Sequence, residues 1–439
     1  MNLKKNNRRD FLKTTALVTG GAMVSPFTLP GAYAAGSDEI KVALIGCGGR
    51  GTGAAFQAFG TDKNIKLVAM ADAFRDRLDS SYEALSKKIG TEKVVVSEDK
   101  KFVGFDAYKD AIKEADVVLL ATPPGFRPMH FEEAVRQGKH VFMEKPVATD
   151  ANGIRKVIAA AEMAKAKKLN VVVGLQRRYQ DNYIDTIQRI HDGAIGEIVG
   201  GHVYWNGGGV WTKPRTPDQT EMEYQMRNWY YFNWLCGDHI TEQHVHNLDI
   251  ANWVKGGYPV KAEGTGGRMV RTGLDTGEIF DHHTVRLTYA DGTVIDSECR
   301  HFPGAFNKVD ESFIGTKGRA YMNASNVGKL TSLNGSSLYE HNGEGDINPY
   351  QQEHNMLFDA IVKGEYKYED ATRSAMSTMT AILGRDATYS GKEISWDDAF
   401  HSEVDLMPET LAWDAMPKLL PNADGLYPHA VPGKTKVLS

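Results

Sequence analysis

The sequence predicts an α/β protein of two units: a doubly wound parallel sheet, then an α+β domain built on a large, open, mostly antiparallel sheet. Two observations carry the first unit. Short, mainly apolar runs alternate with helix-like stretches from residue 40 to residue 176, and the earliest run leads straight into a glycine-rich turn. A third observation carries the second unit: beyond residue 177 the periodicity changes to strand-like runs, one of which turns at Asp291-Gly292.

Composition allows this. The 439 residues are 41% hydrophobic and 24% charged, enough material for two separate cores. A formal net charge of −5 argues against a nucleic-acid partner. Cys47, Cys236 and Cys299 are odd in number and unrelated in spacing, which excludes a disulfide scaffold and any paired-cysteine zinc motif. The chain has no repeats and no low-complexity tract.

Residues 1–34 read as an export signal. Lys4, Lys5 and the stretch RRDFLK (Arg8 to Lys13) form a charged part, TTALVTGGAMVSPFTLPGAYA a weakly apolar part, and Ala32-Tyr33-Ala34 a small-residue cleavage pattern. The arginine pair gives it the form of a twin-arginine signal, a route used by proteins that fold, often around a cofactor, before export. Gly20, Gly21, Pro26 and Pro30 interrupt the apolar run too often for a membrane span. The expectation is a soluble periplasmic or otherwise extracytoplasmic protein, cut after Ala34.

The first unit, residues 36–176, begins with the strand IKVALI (40–45) and continues into Gly46-Cys47-Gly48-Gly49-Arg50-Gly51. This is a GxGxxG pattern in context: a helix-like stretch follows, then the strand IKLVAMA, ending at Asp72 about 20 residues beyond the last glycine. Each part has a task in a Rossmann-type dinucleotide site. Gly46 permits the turn, Gly48 lets backbone approach a pyrophosphate, Gly51 lets helix and strand pack, and the helix N-terminus offers its free N–H groups. Asp72 suits the ribose hydroxyls of NAD and repels a 2′-phosphate; Arg75 and Arg77 keep NADP as the lesser alternative. The apolar strands of ADVVLLATPP (115–124), HVFMEKPV (140–147) and NVVVGLQ (170–176), with helical stretches between them, complete the sheet. Ligands of such sheets lie outside the carboxyl ends of the strands, where Thr122, Pro123, His130, Glu144, Lys145 and Gln176 fall.

The glycine turn, ATPP with His130 downstream, the tripeptide Glu144-Lys145-Pro146, and GLQRRY (174–179) together resemble the glucose-fructose oxidoreductase, inositol dehydrogenase and rhizopine-catabolism (Gfo/Idh/MocA) family. The resemblance covers nearly all the chain after residue 38, and EKP after the fifth strand is its most specific mark. It implies that Lys145 contacts both nicotinamide and substrate, and that the peptide before Pro146 can be cis. Arg177 and Tyr179 of GLQRRY become candidate substrate contacts.

The second unit, residues 177–399, carries its densest chemistry in CGDHITEQHVHNLDIANW (236–253). On one continuous helix Glu242 and His246 would stand one turn apart, with Asp249 three residues further on. The family resemblance implies a catalytic histidine preceded by a carboxylate four residues earlier, usually Asp; Glu242-x-x-x-His246-x-x-Asp249 fits with Glu in its place, and Asp238 is an alternative orienting group. Three readings stand: His246 as base oriented by Glu242, a metal held by His239, Glu242 and His246, or a set of hydrogen-bonded interior groups. No known metal motif is present, which favours the first.

The stretch 204–234 holds four of the seven tryptophans among glycine, proline and charge, which is loop chemistry. Trp205 and Trp229 suit the C–H faces of a sugar, and Lys213, Arg215 and Arg227 its hydroxyls; an oligomer contact is the plain alternative. Residues 400–439 read as an irregular arm lying across a domain or a neighbour.

Together these features predict an NAD-dependent oxidoreductase of a sugar, polyol or glycoside, with Lys145, His246 and Glu242 catalytic, the cofactor tightly held, and the chain a homo-oligomer, dimer or tetramer. The alternatives are a redox-neutral glycosidase of the same family, in whose branch the EKP tripeptide usually departs, and a non-catalytic exported sugar-binding protein.

Overall fold

The computed structural model describes residues 39–439, so the expected export signal lies outside the described residues. Six parallel strands form the first sheet: β1 (Ile40–Ile45), β2 (Ile65–Asp72), β3 (Lys101–Val103), β4 (Val117–Leu120), β5 (His140–Met143) and β6 (Val171–Val173). Their order is β3-β2-β1-β4-β5-β6. Helices α1 (Gly49–Phe59), α2 (Arg75–Ile89), α3 (Ala107–Lys113), α4 (Arg127–Arg136) and α5 (Ala151–Ala166) link them and cover both faces. A strand covered on both faces has no polar side, which is why all four residues of β4 are apolar and buried. The strand order reverses between β1 and β4. The loops leaving those two strands therefore diverge and open a crevice at their carboxyl ends.

Helix α6 (Asp181–His191) leads into β7 (Ile198–Gly207), and a long connection follows, containing α7 (Glu221–Arg227), α8 (Asn233–Cys236), α9 (His239–Glu242) and α10 (Val245–Lys255). The remaining strands are β8 (Lys261–Gly267), β9 (His282–Thr288), β10 (Val294–His301), β11 (Lys308–Gly315), β12 (Gly318–Asn323), β13 (Val327–Ser332) and β14 (Ser337–Glu340). After α11 (Pro349–Val362) and α12 (Asp370–Ser390), the short β15 (Ile394–Ser395) and α13 (Trp396–His401) close the unit. The nine strands are ordered β14-β13-β12-β11-β7-β10-β9-β8-β15. Every neighbouring pair is antiparallel except β7 with β10. Along β9, His283, Val285 and Leu287 are buried while Thr284 and Arg286 are exposed. That alternation marks a sheet with one packed face and one bare face.

Helix α12 joins the two units. Every residue from Ser377 to Ser390 is buried, because the helix lies between α5 and β6 of the first unit and β8 and β9 of the second. Its one buried cation there, Arg385, is satisfied by the carbonyl of Thr149 at 2.7 Å and the carboxylate of Asp386. Helix α11 packs on α1 and carries Tyr350 and Glu353 to the side of Arg50.

Two expectations change here. The stretch 204–234 is not all loop, since α7 forms within it. Its N-cap is Thr220, whose hydroxyl accepts from the Glu223 N–H at 3.2 Å, and Thr-x-x-Glu is the sequence signature of such a start. Nor is 236–253 one helix. Gly237 and Asp238 both have positive φ, 76° and 72°, and a second break at Gln243 and His244 separates α9 from α10. Asp238 is held in that unusual conformation by hydrogen bonds to its buried carboxylate from the Phe280 N–H (2.9 Å) and the Tyr389 hydroxyl (2.5 Å).

Residues beyond His401 contain no further helix or strand and lie across both units of their own chain. The Leu406 N–H donates to Asp150 at 2.9 Å, Trp413 packs on Phe74 and Phe105, and Tyr427 rests on Phe232.

Candidate dinucleotide and substrate cleft

A cleft of about 750 Å³ runs along the carboxyl edge of the first sheet, within the usual range for a small-molecule site. The order β2-β1-β4-β5 sets Asp72 at one end and Lys145 at the other, with the glycine turn and Thr122 between them. The second unit closes the far side through Trp205, Trp229, Glu242 and His246.

The glycine turn fits a dinucleotide on its own geometry. Gly46 has φ +94°, and a Cβ there would stand 2.5 Å from the backbone of Ala121 and Thr122. A Cβ on Gly51 would overlap the carbonyl oxygen of Gly46, so close packing of α1 on β1 needs that glycine. A Cβ on Gly48 would meet no protein atom within 4 Å, so it would project into space that a pyrophosphate can use. Asp72 accepts from the N–H groups of Cys47 (2.6 Å) and Phe74 (2.9 Å), which fixes its carboxylate at the mouth of the turn. Burial raises its pKa against these bonds. Of the two nearby arginines, Arg75 is engaged by Asp79 and Glu98 on the surface, and only Arg77 lines the cleft. Phe74 and Phe105 wall this end, backed by Trp413 at ring distances of 5.0 and 4.6 Å. Arg227 lies over Phe74 at 4.0 Å and reaches Asp76, so it spans from the second unit to the nucleotide end of the first.

In the middle of the cleft, Thr122 and His130 hydrogen-bond at 3.2 Å, and Pro123 follows. Burial, then the neighbouring Arg127, pushes the His130 pKa down to about 3, so this ring is neutral. Arg127 itself is buried and donates to the carbonyls of Leu120 (2.8 Å) and Thr122 (2.7 Å), setting the course of the loop after β4. At the far end Arg50 donates to Glu144, and Gln176 lies alongside with its buried Oε1 unpartnered. Gly49 begins α1 and, unlike Gly46 and Gly48, does not line the cleft.

The Lys145–Pro146 peptide is cis. Lys145 donates to both the side chain (2.9 Å) and the backbone carbonyl of Glu242. Glu242 therefore engages Lys145 and has no hydrogen bond to His246. The His246 ring stacks on Trp205 at 5.9 Å, and its Nδ1 is buried with no partner. Burial, then the charges of Lys145 and Arg177, holds the His246 pKa well below its ordinary value. The helix break at Gln243 and His244 accounts for the difference from the sequence expectation, because it removes the one-turn relation between Glu242 and His246.

Three other expected contacts lie outside the cleft. Arg177 is buried behind Trp205 in an ion pair with Glu311, which also accepts from Tyr183 (2.9 Å) and Asn247. Tyr179 donates to Asp370, and Asp249 is paired with Arg178 (2.7 Å) and Ser377 (2.7 Å). Asp238 and His239 belong to a buried group with His283, whose possible ligand atoms lie within 4.8 Å of one another. The Arg271 guanidinium stands 3.5 Å from His239 Nδ1, a position unfavourable to a second cation. Glu242 and His246 face elsewhere, so the metal set His239, Glu242 and His246 does not assemble.

Sequence reading missed Gln243, Trp211, Phe74, Phe105 and Tyr350, all of which line the cleft. Gln243 lay inside the polar run already singled out. Tyr350 comes from α11, more than 100 residues beyond Gln243 in the chain, and nothing local to it signals the site.

Comparison with known proteins agrees with this geometry. The sequence model of the Gfo/Idh/MocA oxidoreductase family, NAD-binding Rossmann fold, matches residues 40–174, and that of the Gfo/Idh/MocA C-terminal domain matches residues 184–321. An inositol 2-dehydrogenase of Rhizobium meliloti is 26% identical over 253 residues, covering 58% of this chain and 66% of the relative. A glycosyl hydrolase family 109 protein of Shewanella pealeana is 26% identical over 216 residues, covering 45% of each chain. The chain thus spans just under two thirds of the first of these relatives and less than half of the second. Among solved structures, a scyllo-inositol dehydrogenase of Lactobacillus casei with bound NAD(H) and scyllo-inositol shares the fold, with a TM-score of 0.61, 19% identity, and coverage of 82% of this chain and 99% of that one. With both units matched in sequence and the dinucleotide cradle in place, the chain belongs to the Gfo/Idh/MocA oxidoreductase family.

Proposed function

We propose that this protein is an NAD-dependent dehydrogenase of a sugar, polyol or glycoside, exported folded with its cofactor in place. One observation carries the reading: the glycine turn, Asp72, the Lys145–Glu242 pair and His246 share one cleft, which Trp205, stacked on His246, lines together with Trp211 and Trp229. Aromatic faces beside a few convergent polar groups suit a substrate with both C–H faces and hydroxyls.

When bound, NAD supplies a hydride acceptor at nicotinamide C4. The chain's own part is to hold the alcohol and remove its proton. Lys145, held by Glu242, donates to the hydroxyl oxygen and stabilises the negative charge that develops there. His246, kept neutral by burial, takes the hydroxyl proton. The carbon loses a hydride and the oxygen a proton, leaving a ketone. Asp72 favours NAD over NADP.

The test is direct. Purified protein, its nucleotide content measured by mass spectrometry, is mixed with myo-inositol, D-glucose and methyl glucosides, and absorbance at about 340 nm is followed. A rise with a keto product supports the reading; sugar binding with no absorbance change makes the protein a sugar-binding module instead. The Shewanella relative supports a second reading, in which oxidation of a ring hydroxyl acidifies the adjacent C–H, a glycosidic substituent is eliminated, and the hydride returns. With an aryl glycoside, released phenol means glycosidase, and a keto-glycoside with phenol retained means dehydrogenase.

Export and assembly belong to the same proposal. The charged, apolar and small-residue parts of 1–34 support a twin-arginine route, tested by replacing Arg8 and Arg9 with Lys and following the protein in cell fractions. Exposed Val199, Ile314 and Tyr321 on the bare face of the nine-stranded sheet support a homo-oligomer, tested by light scattering.

A further inference from the structure

Behind the cleft, a buried chain of hydrogen bonds ends on Gln243. Arg271 and His301 are 5% and 3% exposed, and Arg271 reaches Nδ1 of the His301 ring. The other imidazole nitrogen, Nε2, lies 2.7 Å from Oε1 of Gln243, and Gln243 lines the cleft beside Glu242. The position of Arg271 is itself fixed. One oxygen of Asp281 accepts the consecutive N–H groups of Met269 (2.7 Å), Val270 (2.6 Å) and Arg271 (2.9 Å), and the guanidinium also donates to the Phe280 carbonyl.

The chemistry of the three side chains leaves one consistent assignment of hydrogens. A guanidinium only donates, so His301 Nδ1 accepts and the ring hydrogen sits on Nε2. That N–H must then donate to the oxygen of the Gln243 amide, which fixes which end of the amide is which. The NH2 end has no partner among the described residues and is left for the cleft.

We infer that Gln243 is a substrate-recognition residue, its NH2 donating to a ring or glycosidic oxygen of the sugar, which can only accept, and that Arg271 and His301 are positioning residues that lock this orientation. The inference rests on the proposed oxidation of a sugar or polyol. It assigns a directional contact: Gln243 offers the cleft a donor, because its acceptor oxygen is taken by His301. A carboxylate in place of the amide would present only acceptors and would lose the contact.

The test compares wild type with Q243E, Q243A, H301L and the double variant Q243A/H301L, on methyl β-D-glucopyranoside, D-glucose and myo-inositol. NAD affinity is measured separately by fluorescence titration. Q243E is expected to raise KM about tenfold or more on the best substrate, with kcat and NAD affinity within about threefold. H301L frees the amide to rotate and is expected to raise KM less, by about three- to tenfold; in the Q243A background it adds no more than about twofold, because it acts only through Gln243. A Q243E variant with unchanged KM overturns the contact. An H301L effect of full size in the Q243A background overturns the positioning role, and Q243E alone decides should H301L fail to fold. Wild-type protein that oxidises no panel member fails the dehydrogenase reading, and the inference with it; wild-type turnover with an unaffected Q243E fails the inference alone.

Discussion

Replacing Trp413 by alanine should loosen the cofactor without touching the reacting groups. Trp413 belongs to the irregular C-terminal arm and makes no part of the cleft lining itself, yet its ring backs Phe74 at 5.0 Å and Phe105 at 4.6 Å, the two rings that wall the nucleotide end. Aromatic pairs of this kind contribute about 0.5–1.5 kcal/mol each beyond area burial, so the two together hold the wall with about 1–3 kcal/mol. Only the part lost through wall mobility reaches the cofactor, about 1–1.5 kcal/mol, or about a tenfold rise in Kd. Arg227 also covers Phe74, at 4.0 Å, so an R227A/W413A double variant should weaken binding by more than the sum of the singles. The assay is NAD content after exhaustive gel filtration, followed by fluorescence titration of the emptied protein, with thermal denaturation of the apoprotein as control. A W413A protein that keeps its nucleotide and its Kd, at unchanged apo stability, would refute the idea that the arm encloses the nucleotide end.

Further outcomes follow from the same geometry. G48V should fold normally and lose NAD, because its Cβ meets no protein atom within 4 Å, whereas G51A should be destabilised by collision with the Gly46 carbonyl; circular dichroism melts and nucleotide content separate the two. K145A should keep its NAD and lose turnover, and E242Q, which exchanges a charged for a neutral acceptor of the Lys145 N–H at 2.9 Å, should lower kcat by about 10- to 100-fold with little change in NAD affinity. Turnover by K145A at the wild-type rate would end its assignment as a catalytic residue. His246 acts as a base only when neutral, and burial holds its pKa well below 6.5. Activity should therefore be lost only as pH falls through that lowered value, so an acid limb of kcat/KM at or above pH 6.5 would contradict the role given to His246. R177M should cost about 3–5 kcal/mol of stability, because it strands the buried carboxylate of Glu311; a chemical denaturation curve reads this.

The parallel sheet and its glycine turn were legible in the sequence because their causes are local. A strand covered on both faces must be apolar throughout, as Val117–Leu120 is, and a turn with φ +94° over closely packed backbone admits only glycine, as Gly46 shows. Lys145 could be found for the same reason: it stands at the end of a strand whose end was readable. The partners within the cleft were decided by tertiary structure. Periodicity alone set Glu242 one turn from His246, but two residues of positive φ and a helix break send Glu242 to Lys145, and His246 to the face of Trp205. Tyr179, Arg177 and Asp249 carry the polarity of site residues, yet partners more than 70 residues away take up each of them. The arm that closes the nucleotide end, the tyrosine that α11 delivers, and the Arg271–His301 pair behind Gln243 come from distant stretches of chain. A residue's chemistry is written in its own letter, but its partner is chosen by packing, which no short window of sequence contains.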